Sequence, residues 1–507
     1  MKKLLFFLLA SIIFCVSCTQ SSKNTLLIPA KSAVIAAFDV SSLAKKAQLK
    51  DIDALKNESM LNEFPVLREL VKNPANTGID LKSDVFVFYV MHNENSYVCA
   101  NIPLKNQKQA QEFVETKLSE NFEAEGKQRF YAEEYHTWIV LENNTMLVVS
   151  SETRNKATSA AFVNYLTTLP KSESIADNEH FKTFCKNKND IGIFISTTPF
   201  LENLKSFGTD FSEMLAAYKG MYKDLSEADL HNNYFTVDVD FKKNEVEINY
   251  SFVLNEQLEN YLLANNFSKE RFSNELLQFA HATSMLAAHY SFDIEKTLAY
   301  LQNIPEFLEL TEELEEELEF SIGEILSSFG GDFLVSFYDL VQKENEGEVP
   351  LIVAVASVKN EGVINTLLQQ KFADFEINAS VPYYDFSKGS GIPFFVAVYH
   401  NTFMIATDKN ALAALAAGGF ENTLNNEFAS STDDDFSLFL NLDFATYPER
   451  ANMYLDLLFG ENFAATMPFK SLLISSESSS MTSKMVLTMK NGDDNSLAQI
   501  LQFITSL

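Results

Sequence analysis

A formal charge of −30, from 69 acidic against 39 basic residues in 507, argues against nucleic acid as a partner and against electrostatic adhesion to anionic lipid. With 46% hydrophobic residues the chain is long enough for two or more domains with substantial cores, which excludes a disordered polymer. Beyond the amino terminus no apolar run reaches the length of a membrane-spanning helix; the strongest, DVFVFYVM and IPFFVAVYHNTFMIA, read as strands broken by polar residues.

The chain opens with Lys2 and Lys3, then an apolar run from Leu4 to Val16 too short for a permanent spanning helix, and small Ser17 directly before Cys18. This is the outline of a bacterial lipoprotein signal. Residues 1–17 are expected to be cleaved, with Cys18 as the lipidation site; an ordinary cleaved secretory peptide is the alternative. Three before Cys18 stands Cys15, where leucine is usual. The C-x-x-C that these two cysteines form straddles the cleavage site, so it cannot serve as a redox pair in the mature chain. Cleavage removes two lysines and no acid, leaving the body more acidic still. Lipid rather than charge must therefore hold the protein at a membrane, and multiple acyl chains suffice for stable anchoring. Residues 18–30 open on the polar TQSSKNT and read as a flexible tether. The expected location is the bacterial cell envelope, as an outer-membrane lipoprotein. Without an acidic cluster after Cys18, periplasmic and surface faces both stay open.

Past the tether, the chain read against itself at an offset of about 250 residues repeats its order of elements. AVIAAFDVSSLAKKA from Ala33 and SMLAAHYSFDIEKTLAYL from Ser284 are each a strand running into a helix. SDVFVFYV and SYVCANIPL with the helical NQKQAQEFVETKL correspond to GDFLVSFYDL and VPLIVAVASV with NEGVINTLLQQKF. Two hairpins follow, with Asn144-Thr145 opposite Asn401-Thr402 at the predicted turns, each leading into a helix. NDIGIFISTTPFLENL pairs with DDFSLFLNLDFATYPERA, and a last hairpin before a closing helix ends each half. The pattern predicts an α+β fold of two tandem related lobes, residues 31–270 and 281–507. Each is expected to be a largely antiparallel sheet with helices packed on one face. The helical NEQLENYLLANNFSKERFSNELLQFA marks the join, near residues 255–280. Val85 to Val90 is a continuous apolar run and reads as a strand covered on both sides. In Tyr234–Val253, by contrast, Phe235, Val237, Val239 and Phe241 alternate with Thr236, Asp238 and Asp240, giving one core face and one wet face.

The Cys18 signal, the segment LLIPAKSAVIAAFDVSSLAKKA and the duplicated strand-helix blocks together resemble a family of large Bacteroidetes lipoproteins catalogued only as a domain of unknown function. The resemblance spans nearly the whole chain and implies location and architecture. It implies no catalytic residues.

The chemistry-bearing residues are sparse. The only G-x-G, Gly389 and Gly391, runs into Ile392 and Pro393 rather than a helix and reads as a turn. His281 and His289 are eight residues apart with no acidic partner at ligand spacing, so no metal site is expected, and His400 reads as a solvated hairpin residue. Asp433, Asp434 and Asp435 before FSLFL could bind a hard cation, yet Asp190 holds the matching place before IGIFI, so a strand-start role explains both. TEELEEELEF places Leu310, Leu314 and Leu318 at helical spacing with a glutamate face that could attract a cationic partner. Asp238, Asp240, Glu245 and Glu247 line the wet face of one hairpin; paired carboxylates suit a glycosidase, but nothing separates a protonated acid from an ionised one there. Cys99 reads as a small buried hydrophobe, with a Cys99–Cys185 bridge left open. The lone Trp138 and the abundant phenylalanines read as core rather than a sugar platform. No catalytic, cofactor or metal residue is assigned. The expected function is a non-catalytic binding or assembly module of the cell envelope. It is held to the membrane through Cys18, with an envelope protein or glycan as partner; ligand and oligomeric state are unassigned. The alternative is a hydrolase acting on an envelope or imported glycan or peptide.

Overall fold

The computed structural model describes residues 24–48, 76–206, 225–269, 272–343, 347–371, 381–386, 394–424, 428, 434–459, 466–477 and 480–506. Cys18, residues 1–17, Asp433 and the Gly389/Gly391 turn lie outside the described residues. The chain divides into two units, residues 1–261 with 491–507, and residues 262–490.

In the first unit the strands are β1 (Val34–Phe38), β2 (Val85–His92), β3 (Asn95–Pro103), β4 (Glu123–Ala124), β5 (Arg129–Ala132), β6 (Thr137–Glu142), β7 (Thr145–Ser151), β8 (Ile191–Ser196), β9 (Tyr234–Phe241) and β10 (Glu245–Val253). They pair antiparallel in the order β4-β5-β6-β7-β3-β2-β1-β8-β9-β10. Helices α1 (Val40–Ala47), α2 (Gln107–Lys117), α3 (Lys156–Thr167), α4 (Glu179–Asn187) and α5 (Thr197–Ser206) connect them, and α6 (Glu256–Ala264) follows β10. Side chains fix several helix starts: Asp39 accepts from the Ser42 amide, Asn106 from Gln109 and Asn178 from Phe181. Each satisfies a backbone donor that the helix itself leaves without a partner.

Helices cover both faces of this sheet, where the sequence predicted one. Ile35, Ala37, Phe86 and Phe88 point to one side and pack with Phe162, Val163 and Leu166 of α3 and Phe181 and Phe184 of α4. Their neighbours Ala36, Phe38, Val85 and Val87 point to the other and meet α1 through Val40, Leu43 and Ala47. On that same side α2 packs Ala110, Phe113 and Val114 against Phe130, Ile139 and Leu141. Alternation along a strand makes this possible: when both alternating sets are apolar, each face demands its own cover. The expected two-sided burial of Val85 to Val90 follows from the same packing.

The second unit holds α7 (Ile294–Leu301), α8 (Pro305–Leu318), α9 (Ile322–Ser327), α10 (Glu361–Lys371), α11 (Lys409–Ala417) and α12 (Glu449–Phe459). Its strands are β11 (Leu286–Ser291), β12 (Phe329–Lys343), β13 (Gly347–Val358), β14 (Tyr383–Asp385), β15 (Phe395–Tyr399), β16 (Thr402–Ala406), β17 (Phe436–Asn441), β18 (Phe469–Glu477) and β19 (Thr482–Met489). They pair antiparallel as β14-β15-β16-β13-β12-β11-β17-β18-β19. One core gathers Ala287, Leu334, Val353, Met404 and Phe439 with Leu412 and Leu415 of α11. On the opposite face Val396 and Val398 pack with Ile364 and Leu368 of α10.

The last helix, α13 (Ser496–Ser506), belongs to the first unit rather than the second. Its Leu497 joins Phe38, Val40 and Leu43, and Asn495 before it donates to the Phe241 carbonyl at 2.8 Å. The helical run expected between residues 255 and 280 is also shorter than its apolar pattern suggested. It stops at Ala264, and the Asn266 side chain accepts from the Ser268 amide at 2.9 Å, turning the chain.

Candidate functional site

A cavity of about 710 Å³ lies in the first unit. Helix α4 supplies one wall, because Phe181 and Cys185, and Lys182 and Lys186, stand at the four-residue step that shares a helix face. Asp84, directly before β2, and Phe86 within it stand two residues apart and line the floor, while Leu26, Lys82 and Lys171 are further lining residues. Five lysines therefore converge in a chain of strongly acidic balance: Lys82, Lys171, Lys182, Lys186 and Lys188.

Most of the charge in the cavity is internally compensated. Lys188 Nζ lies 3.0 Å from Asp84 Oδ1, with the lysine side chain only 4% exposed. Lys171 sits 3.5 Å from Asp177 and Lys182 2.7 Å from Glu179, a residue just outside the lining. Asp39 spends its carboxylate on the Ser42 amide at the start of α1. Burial raises the Asp84 carboxyl above its ordinary range, opposed by Lys188. The Cys185 thiol is pushed up to about 12 by burial and by the nearby Asp84 charge, so it stays protonated and weakly nucleophilic at neutral pH. Among the described residues, Lys82 and Lys186 have no carboxylate within ion-pair distance.

A second concavity, of about 440 Å³, lies on the sheet of the second unit and is lined mainly by apolar side chains such as Tyr290, Phe329, Phe333, Phe403, Ile405 and Phe436. Tyr290 and Ile405 are 41% and 39% exposed.

The residues singled out from sequence are dispersed. His281 stacks on Tyr338 at 4.9 Å, and His400 on Tyr399 at 4.0 Å in a hairpin turn. His289 is buried between Phe272 and Phe428. Among the described residues no three His, Cys, Asp or Glu side chains converge as metal ligands. Asp190 and Asp435 are both buried where strands begin, their carbonyls accepting from Asp39 and Ser291 at 2.8 Å. Asp190 also shares Lys46 with Asp240, each oxygen 2.7 Å from Nζ, an ion triad that residue spacing did not disclose. The wet face of the β9–β10 hairpin is accordingly occupied by protein: Asp238 accepts from Asn189 at 2.6 Å, and Glu245 and Glu247 pair with Lys242. In α8, Leu310 is 54% exposed; the covered stripe is Phe307, Thr311, Leu314 and Leu318, rotated from the predicted one. Cys99 is a core residue, and both thiols are free. Trp138 is buried and donates to Ser159 Oγ at 2.9 Å.

The cavity lysines escaped sequence reading. The signal available was KTFCKNK, where Lys182 and Lys186 stand four residues apart in an otherwise acidic chain.

An α+β body with a lysine-lined cavity defines an architecture rather than a chemistry. The chain belongs to the family described as domain of unknown function DUF4836, which it matches over residues 24–497. No curated protein matches it. Among solved structures, crystal form III of TP0453 is similar at 9% identity, covering 50% of this chain and 90% of that one with a TM-score of 0.27. Crystal form I of the same protein gives 11% identity, coverage of 48% and 85%, and a TM-score of 0.24. Likeness at that level bears on neither fold nor function. No described helix is long and apolar enough to cross a membrane.

Proposed function

We propose that this chain is a cell-envelope lipoprotein anchored through Cys18 whose folded body is a non-catalytic binding module. The observation that carries the binding reading is the state of the groups in the 710 Å³ cavity. Lys188 is tied to Asp84, Lys171 to Asp177 and Asp39 to a backbone amide, and the Cys185 thiol is held protonated. Groups so engaged shape and charge a cavity without supplying a free base or an activated nucleophile.

We infer also that the two units descend from one duplicated α+β fold. Supporting this, β5-β6-β7-β3-β2-β1-β8-β9-β10 and β14-β15-β16-β13-β12-β11-β17-β18-β19 correspond strand for strand. The amino-terminal signal supports the anchor.

Two measurements test the proposal. Membrane fractionation with Cys18→Ala should show uncut, unlipidated precursor; normal processing at another residue would refute the anchor. A hydrolase screen beside ligand capture should give capture without turnover. Turnover abolished by changing one or two clustered polar residues would refute the non-catalytic reading.

A further inference from the structure

We propose that the cavity of the first unit binds a phosphate monoester carried on an apolar body, an inference that rests on the binding-module reading and names its ligand class. Five lysines converge on this cavity although the chain as a whole carries −30. Three are already neutralised, Lys188 by Asp84, Lys171 by Asp177 and Lys182 by Glu179. Asp39, the remaining acid of the lining, is engaged by the Ser42 amide. Lys82 and Lys186 are exposed and, among the described residues, unpaired, so two ammonium groups stand ready for an incoming anion. A phosphate monoester carries about −1.5 to −2 near neutral pH, which matches them. The lining contains lysines and no arginine, and lysine meets phosphate as a point charge.

Apart from Thr25, the rest of the lining is apolar. Phe86 of the floor and Phe181 of the α4 wall are buried, Leu26 stands 38% exposed, and Ala176 and the neutral Cys185 add to the surface. That floor offers nothing to inorganic phosphate and favours an aromatic or aliphatic body, and the volume lies within the range of organic-ligand sites. The net charge of −30 disfavours anions that lack such a body to hold them.

The test is a fluorescence titration of the full-length chain, in a neutral detergent, with 1-naphthyl phosphate. Saturable binding is expected, at least tenfold weaker in Lys82→Glu/Lys186→Glu and unchanged in Lys108→Glu, an exposed lysine of α2 outside the cavity. The milder Lys82→Gln and Lys186→Gln variants should each weaken it in part. Inorganic phosphate and 1-naphthol, each lacking half of the probe, should compete weakly. Equal binding by wild type and the double variant, or 1-naphthol binding as well as its ester, would overturn the proposal and leave the wider binding reading standing. Release of 1-naphthol that the double variant abolishes would instead overturn the non-catalytic reading while keeping the site. Repeating the titration with phosphatidic acid in the micelles assigns the source. Competition supports the site with a lipid headgroup as the ester, and undisturbed binding supports it with a soluble one.

Discussion

His289 shows what one buried imidazole costs this protein as pH falls. Packed 4.2 Å from Phe272 and 5.1 Å from Phe428, it is pushed down to about 4 by burial. In the unfolded chain it titrates near 6.5, above the folded value, so between the two the unfolded state binds the extra proton. Its contribution is therefore complete above about pH 6.5 and drains away as pH falls toward 4, by about 3 kcal/mol in all. His289→Phe should lose less stability than wild type between pH 7 and pH 4.5 in urea unfolding of the second unit. Equal losses would show that the imidazole is not the sensor. The same scale explains why the candidate site was hard to read. Lys82, Lys171 and the trio Lys182, Lys186 and Lys188 come from three separate stretches, and only the spacing within the last hints that they meet. Lysines dispersed in sequence look like solvated surface until the fold brings them together.

At the scale of elements, the clearest local code is in two hairpins. Glu142 pairs with Thr145 and Tyr399 with Thr402, leaving two-residue loops whose residues all have positive φ: 53° and 59° at Asn143 and Asn144, 50° and 58° at His400 and Asn401. Such loops match the twist of their strands and favour Asn and Gly. Asn144→Val should cost about 1–2 kcal/mol, whereas Asn144→Gly should be nearly neutral, as read from urea midpoints. Equal effects would mean that backbone conformation does not set the preference. Most elements were visible in this way, since strands such as SYVCANIPL and helices such as NQKQAQEFVETKL carry period and caps within themselves. What packs on an element was less visible. Ile35 and Ala36 are both apolar and give no sign of which helix covers which. The stripe of α8 was misplaced because a leucine every fourth residue drifts around the helix, and Leu310 lands on the solvent side.

The whole molecule departs most from a simple tandem reading at its carboxyl end. Helix α13 follows the last hairpin of the second unit yet belongs to the first, where Leu497 and Ala498 are 6% and 2% exposed. Ending the chain at Lys490 should therefore loosen β1 and α1 by about 3 kcal/mol or more, the cost of uncovering such side chains. Hydrogen exchange should rise first at Phe38, Val40 and Leu43. Faster exchange in β12 and β13 instead would refute it.

That return also sets a clock. Some 230 residues separate the end of the first segment from α13. At a synthesis rate of roughly 5–20 residues per second, the completed first segment waits on the order of 10–50 s for that helix. The intervening segment emerges complete before the earlier one can close, so the first unit born is the last to finish. A ribosome that stops late thus leaves its defect at the oldest part of the chain, where chaperones and proteases have had longest to find it.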